Sequence, residues 1–404
     1  MPVELPDLDP PSAPPRSPRA IVWTVLFVFV MLAGVLVALL TRSKDEATDT
    51  AWFWVRLLAF PALTWCVMFG LRRHYYDEQM QRLQAERGVR AEDREKALQF
   101  AREPLAVLGY TYLTALGSTD AAVKLARGEH ALSAQTSGAG IDAIRHTALR
   151  LNEDKEMPAR YRACFNALLE QISDVVMTVP ATVPLGIRLL APADVDQDDL
   201  LKTWESCWSA KNLRSAKTKQ LSVDQGVMAL DEWLDIRGGP ALERATLFVS
   251  AQLYDHPPQS SAEAAVGVLL AWAPLAERHG LTTRALLHRP VAVGGPGLDA
   301  ALSRVLLWGD ATAAEISDLW QAGMAGQDKR ALLQAASNTK LGVSQTAGLS
   351  GVHDVDLAIG HPGVCAGWLS IALGIEHAAQ TGAPQLMAWH EGSLRFAVAR
   401  TPRA

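Results

Sequence analysis

Cysteine is scarce in this chain of 404 residues: there are four, Cys66, Cys164, Cys207 and Cys365, far apart and with no CxxC pair. That spacing argues against a disulfide framework and against a cysteine-based zinc site. Positive charge is not in excess either, since 38 basic residues face 43 acidic ones for a formal net charge of −5. A nucleic-acid binder normally carries a basic footprint, so that class is set aside. The common chemical motifs are also missing. The chain has no GxxxxGK[ST], GxSxG, HExxH or GxGxxG, which removes the usual nucleotide, hydrolase and zinc-protease readings. No cofactor and no metal site are expected. No internal repeat of roughly 20 to 50 residues stands out, which excludes a solenoid.

What the chain does have is long apolar runs near its start. Ala20 to Leu40, AIVWTVLFVFVMLAGVLVALL, carries no charge over 21 residues. At a helical rise of about 1.5 Å per residue it matches a hydrocarbon core of roughly 30 Å. It is too long for a signal peptide, and the polar run TRSKDEATDT follows it. A second run, 51–71, contains Arg56 near one end and Pro61 in the middle. Arginine at a span end can snorkel, Trp52 and Trp54 suit an interfacial belt, and proline is tolerated in membrane helices. The two runs predict a transmembrane hairpin, 20–40 and 51–71. Arg72, Arg73, Arg82 and Arg87 follow it and Arg16 and Arg19 precede it, while acidic residues offset Arg42 and Lys44 in the connection. The positive-inside tendency then places the protein in a bacterial inner membrane with both termini cytoplasmic.

The first 19 residues are proline-rich and predict a disordered tail. Residues 75–101 alternate in charge and predict a solvated linker helix interrupted near Gly88. A soluble domain, 104–404, follows. Its expected strands are 105–116, 183–190, 245–253 and 264–271, with a closing hairpin of 385–389 and 393–399 about His390, Glu391 and Gly392. Helical spacing is read over 161–176, 224–236, 298–307, 312–320, 329–336 and 362–379, and 133–140 reads as a loop. The alternation of strands and helices predicts an α/β fold. Twelve tryptophans are present, and Trp204 and Trp208 at (i, i+4) predict an apolar helix face in the core. Asp354 and Asp356 near His353 read as a solvated loop. His256-Pro257-Pro258 and His288-Arg289-Pro290 read as loop punctuation.

One segment carries a chemical suggestion: Ile359-Gly360-His361-Pro362-Gly363-Val364-Cys365-Ala366-Gly367-Trp368-Leu369. A histidine precedes a helix whose first turn holds proline and small residues, so another backbone or a ligand can approach closely. Here the sequence resembles the C-terminal half of ketosynthases in the thiolase-like superfamily, in which a GH pair precedes a small-residue helix. Trp308-Gly309-Asp310 with Glu315 and Leu319 is similar to that family's G-D…E…L segment. Ser261-Ala262-Glu263-Ala264-Ala265-Val266 is similar to its S-E-G-A-A-A-L strand, and Gly392 is placed as in its closing strands. The resemblance covers about Ser222 to Ala399. It implies that the domain behind the N-terminal hairpin is a thiolase-like α/β domain, with a binding site at His361, Gly363, Ala366 and Gly367.

The chain departs from the family at the reactive positions. The nucleophile region reads Gln220-Leu221-Ser222-Val223-Asp224 and holds serine in place of cysteine. Leu306, Leu307 and Trp308 stand where the first histidine is due, and Asp356 and Ala358 replace the lysine and asparagine. His361 alone is kept. The resemblance therefore implies a pseudoenzyme: a membrane-anchored, non-catalytic scaffold that binds a protein partner, and a homodimer is the assembly its relatives form. The layout of spans ahead of a large α/β domain also resembles adaptor or accessory proteins of type VI secretion, with a secretion effector or apparatus component as partner. Two other roles stay open from sequence. One is an acyl-transfer enzyme using His361 as base with Ser222 or Cys365; the other is an immunity protein against a secreted toxin.

Overall fold

A helix that is apolar on every side has to be covered by a protein core or by a bilayer, and Ala20–Leu40 forms one helix, α1, with none of its residues buried by protein. The computed structural model describes residues 3–7, 15–41, 50–136, 143–151 and 156–402. The chain divides into two units, Pro2–Gln99 and Phe100–Ala404. In the first, α1 is followed by α2 (Ala51–Trp54), a π-turn (Val55–Ala59) and α3 (Phe60–Arg102), which together form one helical rod. The π-turn directly precedes Pro61, whose missing N–H would otherwise break the ladder. α1 and α3 pair through aromatic rings: Trp23 meets Phe69 at 5.3 Å and Phe27 meets Trp65 at 5.1 Å, and Trp65 Nε1 donates to Trp23 O at 3.0 Å. Arg56 donates to Thr41 Oγ1 at the end of α1, 3.3 Å away. Two helices are thus long and apolar enough to cross a membrane.

α3 runs through Gly88 without a break, where the sequence predicted an interruption. A single exposed glycine costs a helix about 1 kcal/mol, and the (i, i+4) pairs Glu78–Arg82 and Glu92–Lys96 flank it. Residues 8–14 of the tail and 42–49 of the connection lie outside the described residues, as do 137–140. The rest of the 133–140 segment read as a loop is corrected, since Ala134–Thr136 forms a strand paired antiparallel with Ala143–Thr147.

The second unit opens with β1 (Leu105–Leu113), α4 (Ala121–Ala126), β2 (Ala134–Thr136) and β3 (Ala143–Thr147). Then come α5 (Met157–Thr178), β4 (Leu185–Leu190), α6 (Gln197–Ala210), β5 (Lys217–Gln220), α7 (Ala229–Leu234), β6 (Ala245–Gln252), β7 (Ser261–Ala262) and β8 (Ala264–Trp272). α8 (Ala273–Arg278), β9 (Ala285–Leu287), β10 (Val291–Ala292) and α9 (Leu298–Trp308) lead into the last part. That part is β11 (Asp318–Ala322), α10 (Gly326–Asn338), β12 (Val352–Asp354), α11 (Val355–Ala358), α12 (Ala366–Thr381), β13 (Gln385–Glu391) and β14 (Ser393–Arg400).

Among the described residues ten strands run β12-β11-β13-β14-β9-β1-β8-β6-β4-β5, with β10 paired to β14, while β2, β3 and β7 form a small second sheet. The two ends of the long sheet repeat one pattern. β5-β4-β6 is parallel and turns antiparallel at β8; β12-β11-β13 is parallel and turns antiparallel at β14. Parallel strands need crossover helices on the faces, so both faces are covered and the strands read as unbroken apolar runs. β8 shows the result: Ala264, Val266, Val268 and Leu270 face the core around α12, while Ala265, Leu269 and Ala271 face the one built by α5 and α6. α5 buries Tyr161, Cys164, Phe165, Leu168, Leu169, Ile172 and Val176, the face that its spacing predicted. Trp204 and Trp208 of α6 are core residues, with Trp204 edge-on to Phe165 at 5.2 Å.

The sequence reading of 312–320 as a helix is corrected. Thr312 and Glu315 do make a capping box, but it closes only a short turn, and Asp318–Ala322 becomes a strand. Pairing with β12 and β13 on both edges outweighs the local helix signal. His288-Arg289-Pro290 is the connection between β9 and β10, as its composition predicted, yet the first two side chains are buried, at 4% and 0% exposure. Arg289 bonds Asp231 and Asp235 and packs over Phe100 and Trp308.

His288 yields a pH prediction. Burial, aided by the positive charge of Arg400, pushes its pKa down to about 4, while an unfolded histidine titrates near 6.5. A depressed histidine pKa means that the unfolded chain takes up the proton first. The stability contribution is complete above about pH 6.5 and drains as pH falls toward 4, by roughly 3 kcal/mol in all. His288→Gln should flatten this part of the acid limb in urea midpoints measured from pH 7 to 4. Parallel limbs for variant and wild type would refute it.

Candidate functional site

The repeated pattern places two turns in equivalent positions, one after β5 and one after β12. The first contains Ser222 and leads into a short 3-10 turn, Gly226–Met228, and then α7. Ser222 is exposed, and its hydroxyl accepts from Gln225 N and meets Gln225 Oε1, both at 3.3 Å. The space behind this turn is filled from the β13–β14 hairpin. Glu391 accepts from Val227 N and from Trp389 Nε1, each at 3.2 Å, and pairs with Arg395. Arg395 in turn donates to Gln225 O at 3.1 Å and Asp224 O at 2.9 Å. Gly226 has φ +46°, and a Cβ there would fall 1.8 Å from Glu391 Oε1. Burial raises the Glu391 pKa above the usual carboxylate value, with Arg395 opposing it.

The second turn carries the GH segment. Gly360 adopts φ +101° and its amide bonds Asp356 O at 3.0 Å. The His361 backbone is stitched between Ser260 O and Ala262 N, each bond 2.8 Å. Its exposed imidazole accepts from Gly363 N through Nδ1 at 3.0 Å. Small residues then admit close neighbours, all from this chain. A Cβ on Gly363 would lie 2.1 Å from Gln252 Oε1, and one on Gly367 would lie 2.6 Å from Trp389 Nε1 and 2.8 Å from Val227. Ala366 packs against Gly323.

Cys365 is fully buried between Ser250 Oγ at 3.2 Å and Ala264 O at 3.3 Å. Burial pushes its pKa up to about 12, against the hydrogen bond with Ser250, so it is a thiol at neutral pH and a poor nucleophile. Among the described residues no hydrogen bond joins His361 to Ser222 or to Cys365. A base must lie within about 3 Å of the proton it takes, and each of these three side chains is engaged elsewhere.

Sequence reasoning missed the Glu391–Arg395 plug, because the residues belong to a hairpin distant from Ser222 along the chain. It also read Asp354 and Asp356 as a solvated loop. Asp356, which stands where the resembling family has lysine, accepts from Gly323 N at 2.7 Å and Met324 N at 3.0 Å. Both carboxylates clasp Lys329 Nζ, at 2.8 and 2.9 Å. Asp310 of the G-D segment ties Arg102 at 3.1 Å and Arg400 at 3.4 Å, a structural role.

No family model matches this chain. No curated protein matches it either. Solved structures do. The ishigamide ketosynthase/chain length factor is 16% identical with a TM-score of 0.53, covering 74% of this chain and 100% of that one. A β-ketoacyl synthase from Burkholderia phymatum is 14% identical with a TM-score of 0.52, covering 74% and 100%. An oxazolomycin ketosynthase domain from Streptomyces albus is 14% identical with a TM-score of 0.51, covering 74% and 96%. Identities this low speak for the fold alone. The second unit has a mixed α/β, thiolase-like fold.

Proposed function

We propose that this protein is a membrane-anchored, non-catalytic thiolase-like scaffold that recruits a protein partner, as an adaptor or accessory protein. Effectors or apparatus components of type VI secretion are the partner class favoured by its layout. The observation that carries this reading is the Glu391–Arg395 pair seated behind Ser222, in the turn where the resembling enzymes hold a nucleophile. A nucleophile needs an adjacent base and room for an acyl group; here Ser222 contacts Gln225, and Glu391 and Arg395 occupy the space behind its turn. The hairpin fixes the site of action in the inner membrane. Basic residues beside the spans favour cytoplasmic termini, which a reporter fused after the last residue would test.

The decisive experiment is affinity purification of the detergent-solubilised full chain beside its His361→Ala variant. Both should retain one protein partner in equal stoichiometry, within about twofold. Acyl transfer from an acyl thioester that disappears in His361→Ala would overturn the scaffold reading in favour of an enzyme. A retained partner that proves to be a toxin neutralised on binding would replace the adaptor by an immunity protein.

A further inference from the structure

Away from the GH segment, three side chains from three elements converge at the far end of α12. Asp318 opens β11, His353 sits in β12, and His377 lies eleven residues beyond the start of α12, about 16 Å along its axis. Asp318 Oδ1 lies 2.9 Å from His353 Nε2 and 3.4 Å from His377 Nε2. One donor atom from each residue falls within 4.8 Å of the other two. All three side chains are largely buried, with exposures of 14%, 4% and 13%.

We propose that Asp318, His353 and His377 bind one divalent transition-metal ion of the zinc class. The two separations from Asp318 Oδ1, a hydrogen bond to His353 and an ion-pair contact to His377 as they stand, also match the spacing of ligands around one ion. Bonds of about 2.0–2.1 Å put neighbouring donors about 3.3 Å apart in a tetrahedron and about 2.9 Å apart at right angles. Two imidazole nitrogens and one carboxylate oxygen suit zinc and its neighbours, whereas calcium and magnesium prefer oxygen alone. Three protein ligands leave a fourth position for water.

The surroundings hold these donors in place, as outer partners do around bound metals. Ser317 Oγ donates to Asp318 Oδ2 at 2.7 Å, which leaves Oδ1 to face the histidines. The Trp320 ring lies 4.3 Å from His353 and 5.4 Å from His377, and Trp320 is itself anchored by Nε1 to Gln385 Oε1 at 3.0 Å. The neighbouring acidic pair, Asp354 and Asp356, already holds the Lys329 ammonium and has no need of a cation. The ion would clamp the end of α12 to the two outermost parallel strands, where, among the described residues, no strand lies beyond β12.

The test uses the full chain in detergent, carried on a tag without histidine. After dialysis against metal-free buffer, mass spectrometry should find about one zinc per chain. Co2+ added to chelator-stripped protein should saturate a visible absorption band at about one equivalent. His377→Gln and His353→Gln should weaken Co2+ binding about tenfold or more, while His256→Gln, at an exposed loop histidine, should leave it unchanged. Circular dichroism shows whether a variant folds. If one does not, competition between wild-type protein and a chromophoric chelator for Zn2+ still decides the matter. Wild-type protein that holds no zinc and gives no cobalt band overturns the proposal, as does a band that survives in both folded variants.

Discussion

Glu263→Ala should destabilise the second unit by about 3–5 kcal/mol, the range for removing one partner of a buried ion pair. Glu263 is 1% exposed. Its carboxylate accepts from Arg160 Nη2 at 2.6 and 2.7 Å, from Leu149 N at 2.9 Å and from Tyr254 N at 3.0 Å. Truncation strands a guanidinium and two backbone donors at once, and unsatisfied buried groups carry the full desolvation penalty. Glu263→Gln keeps the shape and an acceptor, so it should lose about half as much. Urea midpoints of the detergent-solubilised chain measure both. An alanine variant within about 1 kcal/mol of wild type would show that the network is not holding the β6–β8 connection.

Gly360→Ala should be of similar size, about 3–5 kcal/mol, because two penalties coincide. The residue adopts φ +101°, which L-residues avoid at a cost of order 1–3 kcal/mol. A Cβ would also fall 2.5 Å from Ser261 O, a backbone atom that cannot swing aside. Relief would require breaking the bridge between His361 and Ser261, and with it the path into α12. Gly280→Ala separates the two terms: it has φ +61° with nothing within 4 Å of a Cβ, so it should cost only about 1 kcal/mol. Equal losses for the two variants would mean that the close approach at Gly360 contributes nothing.

Much of the fold was legible because burial leaves a periodic trace. The seven buried positions of α5 recur at helical spacing, and β8 is apolar at every step because both its faces are covered. Where the reading failed, a local signal was real but outranked. Thr312 and Glu315 do cap a turn, yet the residues after it are claimed by strands from 352–354 and 385–391. Gly88 is a weak point in a helix that charge pairs and length carry across. His288 and Arg289 do form a connection between strands, but nothing adjacent in sequence announces that they are buried or that Asp231 and Asp235 are the partners of Arg289.

The candidate site divides the same way. The GH segment, its small-residue helix and the missing cysteine can be read from the order of residues, since they depend on near neighbours along the chain. So can the two apolar helices, whose length and composition alone suit a bilayer. Whether the nucleophile turn is open or filled was decided by Glu391 and Arg395, which pair strands and place a buried charge more than 160 residues away along the chain from Val227. Asp318, His353 and His377 likewise meet only because parallel pairing sets β11 beside β12 and α12 crosses over them. Sequence order carries the local pattern, while contact between distant polar groups comes from sheet register and helix packing.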